Sequence, residues 1–256
     1  MAGQLLTGGR TTHGVVRIGD TVRRPILRDS DFARDCLLHL ERVGFRGAPR
    51  FLGIDDAGRE ILSFLPGSVP SDLGDYTDAQ LVMAAALLRR FHDSTATMTS
   101  VRLSGFEVAC HNDWAPTNTV FSGGEPVAMI DFDTAAPGER LWDLGYSAFT
   151  WLDLGNEELA GEEQIRRLGV FAQGYGFADC TVSRIAVYAV ARQAALAAST
   201  RACGKSQVAD WASHCAAWTS LNVVERLLPT GYCTGKSDGS SGDGRRQSRG
   251  EDGVLG

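Results

Sequence analysis

His111-Asn112-Asp113-Trp114-Ala115-Pro116-Thr117-Asn118 is followed a little further on by Ile130-Asp131-Phe132-Asp133. Between these segments, residues 118–121 and 127–130 read as strands around Ser122-Gly123-Gly124-Glu125, a hairpin signal. The first segment is a short loop that carries a carboxylate, Asp113, and five residues later a neutral oxygen ligand, Asn118. Pro116 stiffens it. The hairpin then returns a second carboxylate, Asp131, beside the loop. Moving a phosphoryl group from ATP needs such a set. One carboxylate must orient the attacking hydroxyl and take its proton, and one or two oxygen ligands must hold Mg²⁺ against the phosphates. Asp and Asn are also ordinary turn formers, so the weight rests on both segments standing together in this order.

Around that centre the chain reads as a mixed α+β protein. The first third is short strands and turns. A glycine-containing loop at residues 8–12 precedes a strand at 14–18, and a second strand at 21–24 is halted by Pro25. A helix is expected over residues 31–43, then strands over 49–54 and 59–64 joined by Asp55-Asp56-Ala57-Gly58. Thr77 with Gln80 fits a capping box and opens a helix to about residue 91. After the hairpin, helices are expected near residues 141–154, 157–174, 182–201 and 207–228. Residues 234–256 are Gly/Ser-rich and nearly free of large apolar side chains, the composition of a disordered tail.

The chain has 256 residues, 43 % hydrophobic and 22 % charged, enough to bury a core. A net charge of -6 argues against nucleic acid or an anionic membrane as the main partner and is compatible with a cationic small molecule. No segment approaches the length of a membrane span, and the first residues lack the apolar stretch of a signal peptide. The six cysteines are scattered without a C-x-x-C pair. That pattern predicts reduced thiols in a cytoplasmic protein, not a zinc site or a disulfide framework.

The His111–Asn118 segment matches H-x-D-x-x-x-x-N, and Ile130-Asp131-Phe132-Asp133 matches a hydrophobic-Asp-x-Asp element. In these the chain resembles the aminoglycoside phosphotransferase and choline kinase-like family, over roughly residues 4 to 230. The resemblance implies a protein-kinase-like two-lobed fold, with a strand-rich nucleotide-binding lobe at residues 1–66 and a helical catalytic lobe at 67–233. It implies an ATP- and Mg²⁺-dependent transfer of the γ-phosphoryl group to a hydroxyl of an antibiotic, amino alcohol or sugar-like acceptor.

By the same resemblance Asp113 is the base, Asn118 and Asp131 are the Mg²⁺ ligands, and His111, Asp133 and Asp143 support the site. Gly9 lies in the loop over the ATP phosphates, and the backbone at Ser63 and Leu65 is the adenine-binding hinge. A basic residue on the third strand would contact the phosphates. Arg23 is the first candidate and Arg24 the second, since strand alternation lets only one face the site. Two departures stand out. Arg replaces the family's usual Lys, and residues 32–35 of the following helix hold no Glu to pair with it, only Asp35. These departures keep a second reading alive, a nucleotide-binding regulatory module without turnover. A protein kinase is disfavoured because no A-P-E-like segment follows Asp131. Asp153, Glu157, Glu158, Glu162 and Glu163 are candidates for an acidic acceptor entrance, although charge runs of this kind commonly form a solvated helix face.

Overall fold

The computed structural model describes residues 4–5, 14–26, 30–177 and 181–228. The glycine loop at residues 8–12, with Gly9, and the tail at 234–256 lie outside the described residues.

Strands β1 (Gln4–Leu5), β2 (Val16–Ile18), β3 (Thr21–Pro25), β4 (Phe51–Ile54) and β5 (Arg59–Ser63) form an antiparallel sheet in the order β1-β2-β3-β5-β4. The β4–β5 turn is built by Asp55, whose Oδ1 accepts the Ala57 and Arg59 amides at 3.0 and 2.9 Å. Pro25 does not halt β3 as expected but closes it. It pairs only with Arg59, beyond the last β2 partner, where a strand end tolerates a missing N–H. Helix α1 (Ser30–Arg42) buries Ala33, Cys36, Leu37 and Leu40, one stripe at helical spacing.

The chain leaves this sheet at Pro66-Gly67. Gly67 has φ 149°, and a Cβ there would lie 2.4 Å from the Phe121 carbonyl oxygen. Only glycine lets Ser68 exchange both backbone hydrogen bonds with Phe121, at 2.9 and 2.8 Å. The exit from the first sheet is thereby tied to the hairpin that leads to Asp131.

The rest is mainly helical: α2 (Asp78–Thr95), α3 (Thr99–Ser104), α4 (Arg140–Trp151), α5 (Gly161–Tyr175), α6 (Val182–Ala202), α7 (Ser206–Thr219) and α8 (Glu225–Leu227). The capping box of Thr77 and Gln80 is formed. Helix α2 runs past residue 91 to Thr95 because Phe91, His92 and Thr95 are all buried against neighbours. Helix α5 starts later than expected, since Asn156 accepts the Glu158 amide and makes a turn there. The last expected helix is interrupted by a π-helical stretch at Ser220–Val224.

Two small ladders sit among the helices. β6 (Val108–Cys110) pairs with β9 (Ala136–Gly138), and β7 (Thr119–Ser122) pairs with β8 (Glu125–Met129). The second is the expected hairpin, and Gly123 and Gly124 take φ 61° and 82° in its turn. One hydrophobic cluster joins Leu37, Leu40 and Leu62 of the first part to Phe91, Trp114, Phe132, Phe149 and Trp151 of the second. No helix among the described residues is long and apolar enough to cross a membrane. Cys36, Cys110, Cys203 and Cys215 are free thiols.

Candidate active site

The β6–β9 ladder delivers the chain into the His111–Asn118 loop, and helix α4 locks that loop. Asp143, fully buried in the first turn of α4, accepts the His111 amide at 2.8 Å and the Asn112 amide at 2.7 Å. It also accepts His92 Nε2 at 3.0 Å. Burial acts to raise the Asp143 carboxyl, but the hydrogen bond from His92, with that from the His111 amide, outweighs it and holds it below the usual carboxylate value. Arg140, three residues before it on α4, pairs with Asp93 at 2.9 Å. Asn112 adopts φ 64°, a left-handed conformation that asparagine tolerates. Its Nδ2 donates to the Thr134 carbonyl at 3.0 Å.

His111 is fully buried, and burial pushes its pKa down. A neutral ring whose Nε2 lies 3.0 Å from the Ile130 carbonyl must carry its proton there and donate it. The histidine therefore straps the loop to the residue before Asp131.

Beyond it, Asp113 is held at both carboxylate oxygens. Asn118 Nδ2 donates to Asp113 Oδ2 at 3.0 Å and to the Asp113 carbonyl at 2.8 Å, while the Tyr146 hydroxyl donates to Oδ1. Burial first, then the Asp113 charge, raises the Tyr146 pKa well above its ordinary value, so the hydroxyl remains a donor. With its amide group committed to Asp113, Asn118 keeps its carbonyl oxygen as the ligand-type atom. Trp114, fully buried against Trp151 at 5.2 Å, anchors the loop from below.

Hairpin register places the second carboxylate. Thr119 pairs with Met129, and the Ile130 amide donates to the Asn118 carbonyl at 3.0 Å, so Asp131 follows directly beside Asn118. Asp131 is itself left-handed at φ 65°. Burial, then the charge of Asp133, pushes its carboxyl up to about 7 against the opposing pull of Arg24. A partly buried carboxylate crowded by others is what a cation relieves. No three His, Cys, Asp or Glu groups converge as a metal cage among the described residues. Mg²⁺ needs none, because it takes one or two protein oxygens and completes its shell with waters and phosphate. Asp131 and Asn118 fit that demand.

The basic residue at this pocket is Arg24. Its Nη1 lies 2.5 Å from Asp133 Oδ1 and 3.8 Å from Asp131 Oδ1, and its Nε donates to Glu60 Oε2 at 2.8 Å. Arg23, the first candidate from sequence, lies on the other face of β3. Its Nη1 donates to Thr21 and its Nε lies 3.6 Å from Asp55. The acid expected on α1 is absent, and Asp35 is not the substitute for Arg24. Glu60 on β5 is, placed directly across from Arg24 by the β3–β5 register. Sequence reasoning missed it by searching the helix alone. Ser63 is spent on Arg50, whose amide donates to its Oγ at 2.8 Å, and Leu65 follows just before the crossing to the second part.

Sequence reasoning also passed over the far side of Asp113. Helix α6 contributes Arg192, whose Nη2 donates to the Asn112 carbonyl at 2.5 Å and whose guanidinium lies over the Trp142 and Tyr146 rings, 4.5 and 4.9 Å from their centroids. Three of the acidic entrance candidates are paired with neighbours: Glu157 with His214, Glu162 with Arg226 and Glu163 with Arg166. Asp153 accepts Asn156 Nδ2 at 2.8 Å.

A sheet that aims an arginine at two aspartates beside an Asp–Asn loop, next to a helical part, defines the class of protein-kinase-like phosphotransferases. A family profile described as the phosphotransferase enzyme family matches residues 35–179, and the chain belongs to that family. It is 33 % identical over 180 residues to the trifolitoxin immunity protein of Rhizobium leguminosarum bv. trifolii, a match spanning 65 % of this chain and 66 % of that protein. The fold is shared with a choline/ethanolamine kinase family protein from Mesorhizobium loti, at TM-score 0.56 and 17 % identity, covering 90 % of this chain and 89 % of the other. It is shared too with an aminoglycoside phosphotransferase in ternary complex with ADP and hygromycin B, at TM-score 0.56 and 12 % identity, covering 85 % and 93 %.

Proposed function

We propose that this chain transfers the γ-phosphoryl group of ATP to a hydroxyl of a small molecule in a Mg²⁺-dependent reaction. The observation that carries this reading is the state of Asp113: one oxygen is fixed by Asn118, and the other already accepts a hydroxyl, that of Tyr146. An acceptor hydroxyl donating to the same oxygen is oriented for attack and loses its proton to Asp113 as the new O–P bond forms and the bond from the γ-phosphorus to the bridging oxygen breaks, with ADP as the leaving group. Arg24 faces the phosphates with its Nη end and balances their charge. Asp131 and the Asn118 carbonyl would hold Mg²⁺, which when bound neutralises charge on the phosphates. Residues 1–66 serve as the nucleotide-binding lobe, with the backbone at Ser63 and Leu65 at the adenine, and residues 67–233 as the catalytic and acceptor-binding lobe.

The rival reading, a nucleotide-binding module without turnover, drew on the arginine in place of lysine and on the missing helix glutamate. Glu60 supplies an acid to Arg24 from β5 instead. The test is ADP release with an acceptor panel of amino alcohols, aminoglycosides, sugars and a trifolitoxin-type toxin, the last because of the immunity-protein relative. Mg²⁺-dependent ADP release with one class of acceptor is the expected result. Nucleotide binding without turnover on every acceptor would favour the regulatory module.

A further inference from the structure

We propose that Glu60 is the positioning residue for Arg24, and that through Arg34 it ties helix α1 to the phosphate end of the site. The proposal rests on the phosphotransferase reading above and names the device that aims its phosphate-binding arginine.

Glu60 is 2 % exposed and divides its carboxylate between two guanidinium groups. Oε2 accepts Arg24 Nε at 2.8 Å, and Oε1 lies 3.2 Å from Arg34 Nη2. A buried carboxylate is costly unless both oxygens are satisfied, and here each has its own arginine. The two partners come from different elements. Arg24 faces Glu60 across the β3–β5 ladder, and Arg34 reaches in from α1. The usual sense of the pairing is therefore reversed: the strand supplies the acid, and the helix supplies a second base.

Arg24 is gripped by one edge and presented by the other. Its Nε edge belongs to Glu60, while Nη1 faces Asp133 and Asp131. Phosphates that drew on the Nη end would leave the Nε bond in place, because Glu60 holds the other edge of the guanidinium. Glu60 thus keeps the guanidinium oriented while its Nη end exchanges aspartate for phosphate. Removing the Glu60 charge loosens the Nε edge, and the guanidinium is then oriented only by Asp133 and Asp131 at its Nη end.

Calorimetric titration with Mg·ATP and with adenosine, which lacks phosphates, tests this. Glu60→Gln should weaken Mg·ATP roughly 10- to 100-fold, the worth of one charge-assisted hydrogen bond, and leave adenosine unchanged. Glu60→Asp should restore part of the loss. In an Arg24→Gln background, Glu60→Gln should cost nothing further. Arg34→Gln, at a partly exposed site, should weaken Mg·ATP alone by a smaller factor, and it carries the test if Glu60→Gln does not fold. Equal losses for Mg·ATP and adenosine, additive losses in the double variant, or no loss in either variant would overturn the proposal. A parent that binds no Mg·ATP would sink the phosphotransferase reading and this inference with it. A parent that binds, with both variants binding equally well, would sink this inference alone.

Discussion

Asn118 and Tyr146 share the Asp113 carboxylate, one oxygen each, so its orientation is fixed by the protein itself. Asp113→Ala should lower turnover by roughly 10²- to 10⁴-fold, the usual worth of a positioned acid or base. Calorimetry on the same variant should find Mg·ATP affinity little changed, because the role proposed for Asp113 is toward the acceptor. Near-normal turnover would remove Asp113 from its role. At this scale the sequence was legible where chemistry is local. That Asp113, Asn118 and Asp131 lie together was readable because one loop and one tight hairpin fix their relation. Arg24 was not separable from Arg23, since alternation says only that the two point opposite ways. The choice depends on which face of β3 looks toward Asp131, a fact about packing. Glu60 was invisible for a related reason: it lies far from Arg24 in the chain, and only the β3–β5 register brings them together.

Helices α4 and α6 cross at Gly145, where a Cβ would stand 2.6 Å from the Tyr188 backbone carbonyl carbon. That close approach sets Arg192 over Tyr146 and against the Asn112 carbonyl. Gly145→Val must push the helices apart, and overpacking of this kind costs about 1–3 kcal/mol. The melting temperature should fall, and turnover should fall further than stability alone explains, because Arg192 leaves the loop. A variant that melts and turns over like the parent would show that the crossing is slack. Long elements with a clear period, such as α1 and α2, could be read from sequence, as could the Thr77 cap and the Gly123-Gly124 turn. β6 and β9 could not, because three residues carry no period and their pairing brackets the whole site segment. Arg192 escaped notice because nothing in its own helix marks the face that meets Asn112.

Across the molecule, the buried histidines set a pH limit. Burial pushes the pKa values of both His92 and His111 below the ordinary 6.5. The unfolded chain takes up these protons near pH 6.5 and the fold does not, so stability is full above that pH and declines as pH falls below it. Asp143, held below 3.8, keeps its contribution until the medium is more acidic still. Asp131 acts in the opposite sense, with its carboxyl raised to about 7, so the measurement belongs in Asp131→Asn without Mg²⁺. Its melting temperature should be lower at pH 5.5 than at pH 7.5, and an equal or higher value at pH 5.5 would contradict neutral burial of the two imidazoles. The α+β class and the order of sheet before helices were legible from the run of short strands, while the joining of both parts through one core was not. The central claim is that Asp131, beside Asn118, holds the cation that brings ATP to Asp113. Its most direct test is calorimetric titration of ATP with and without Mg²⁺, on the parent and on Asp131→Asn. The account predicts tight binding only for the parent with Mg²⁺, since without the cation the phosphates face Asp113, Asp131 and Asp133 with Arg24 as the main compensation. Equal affinities in all four titrations would contradict it.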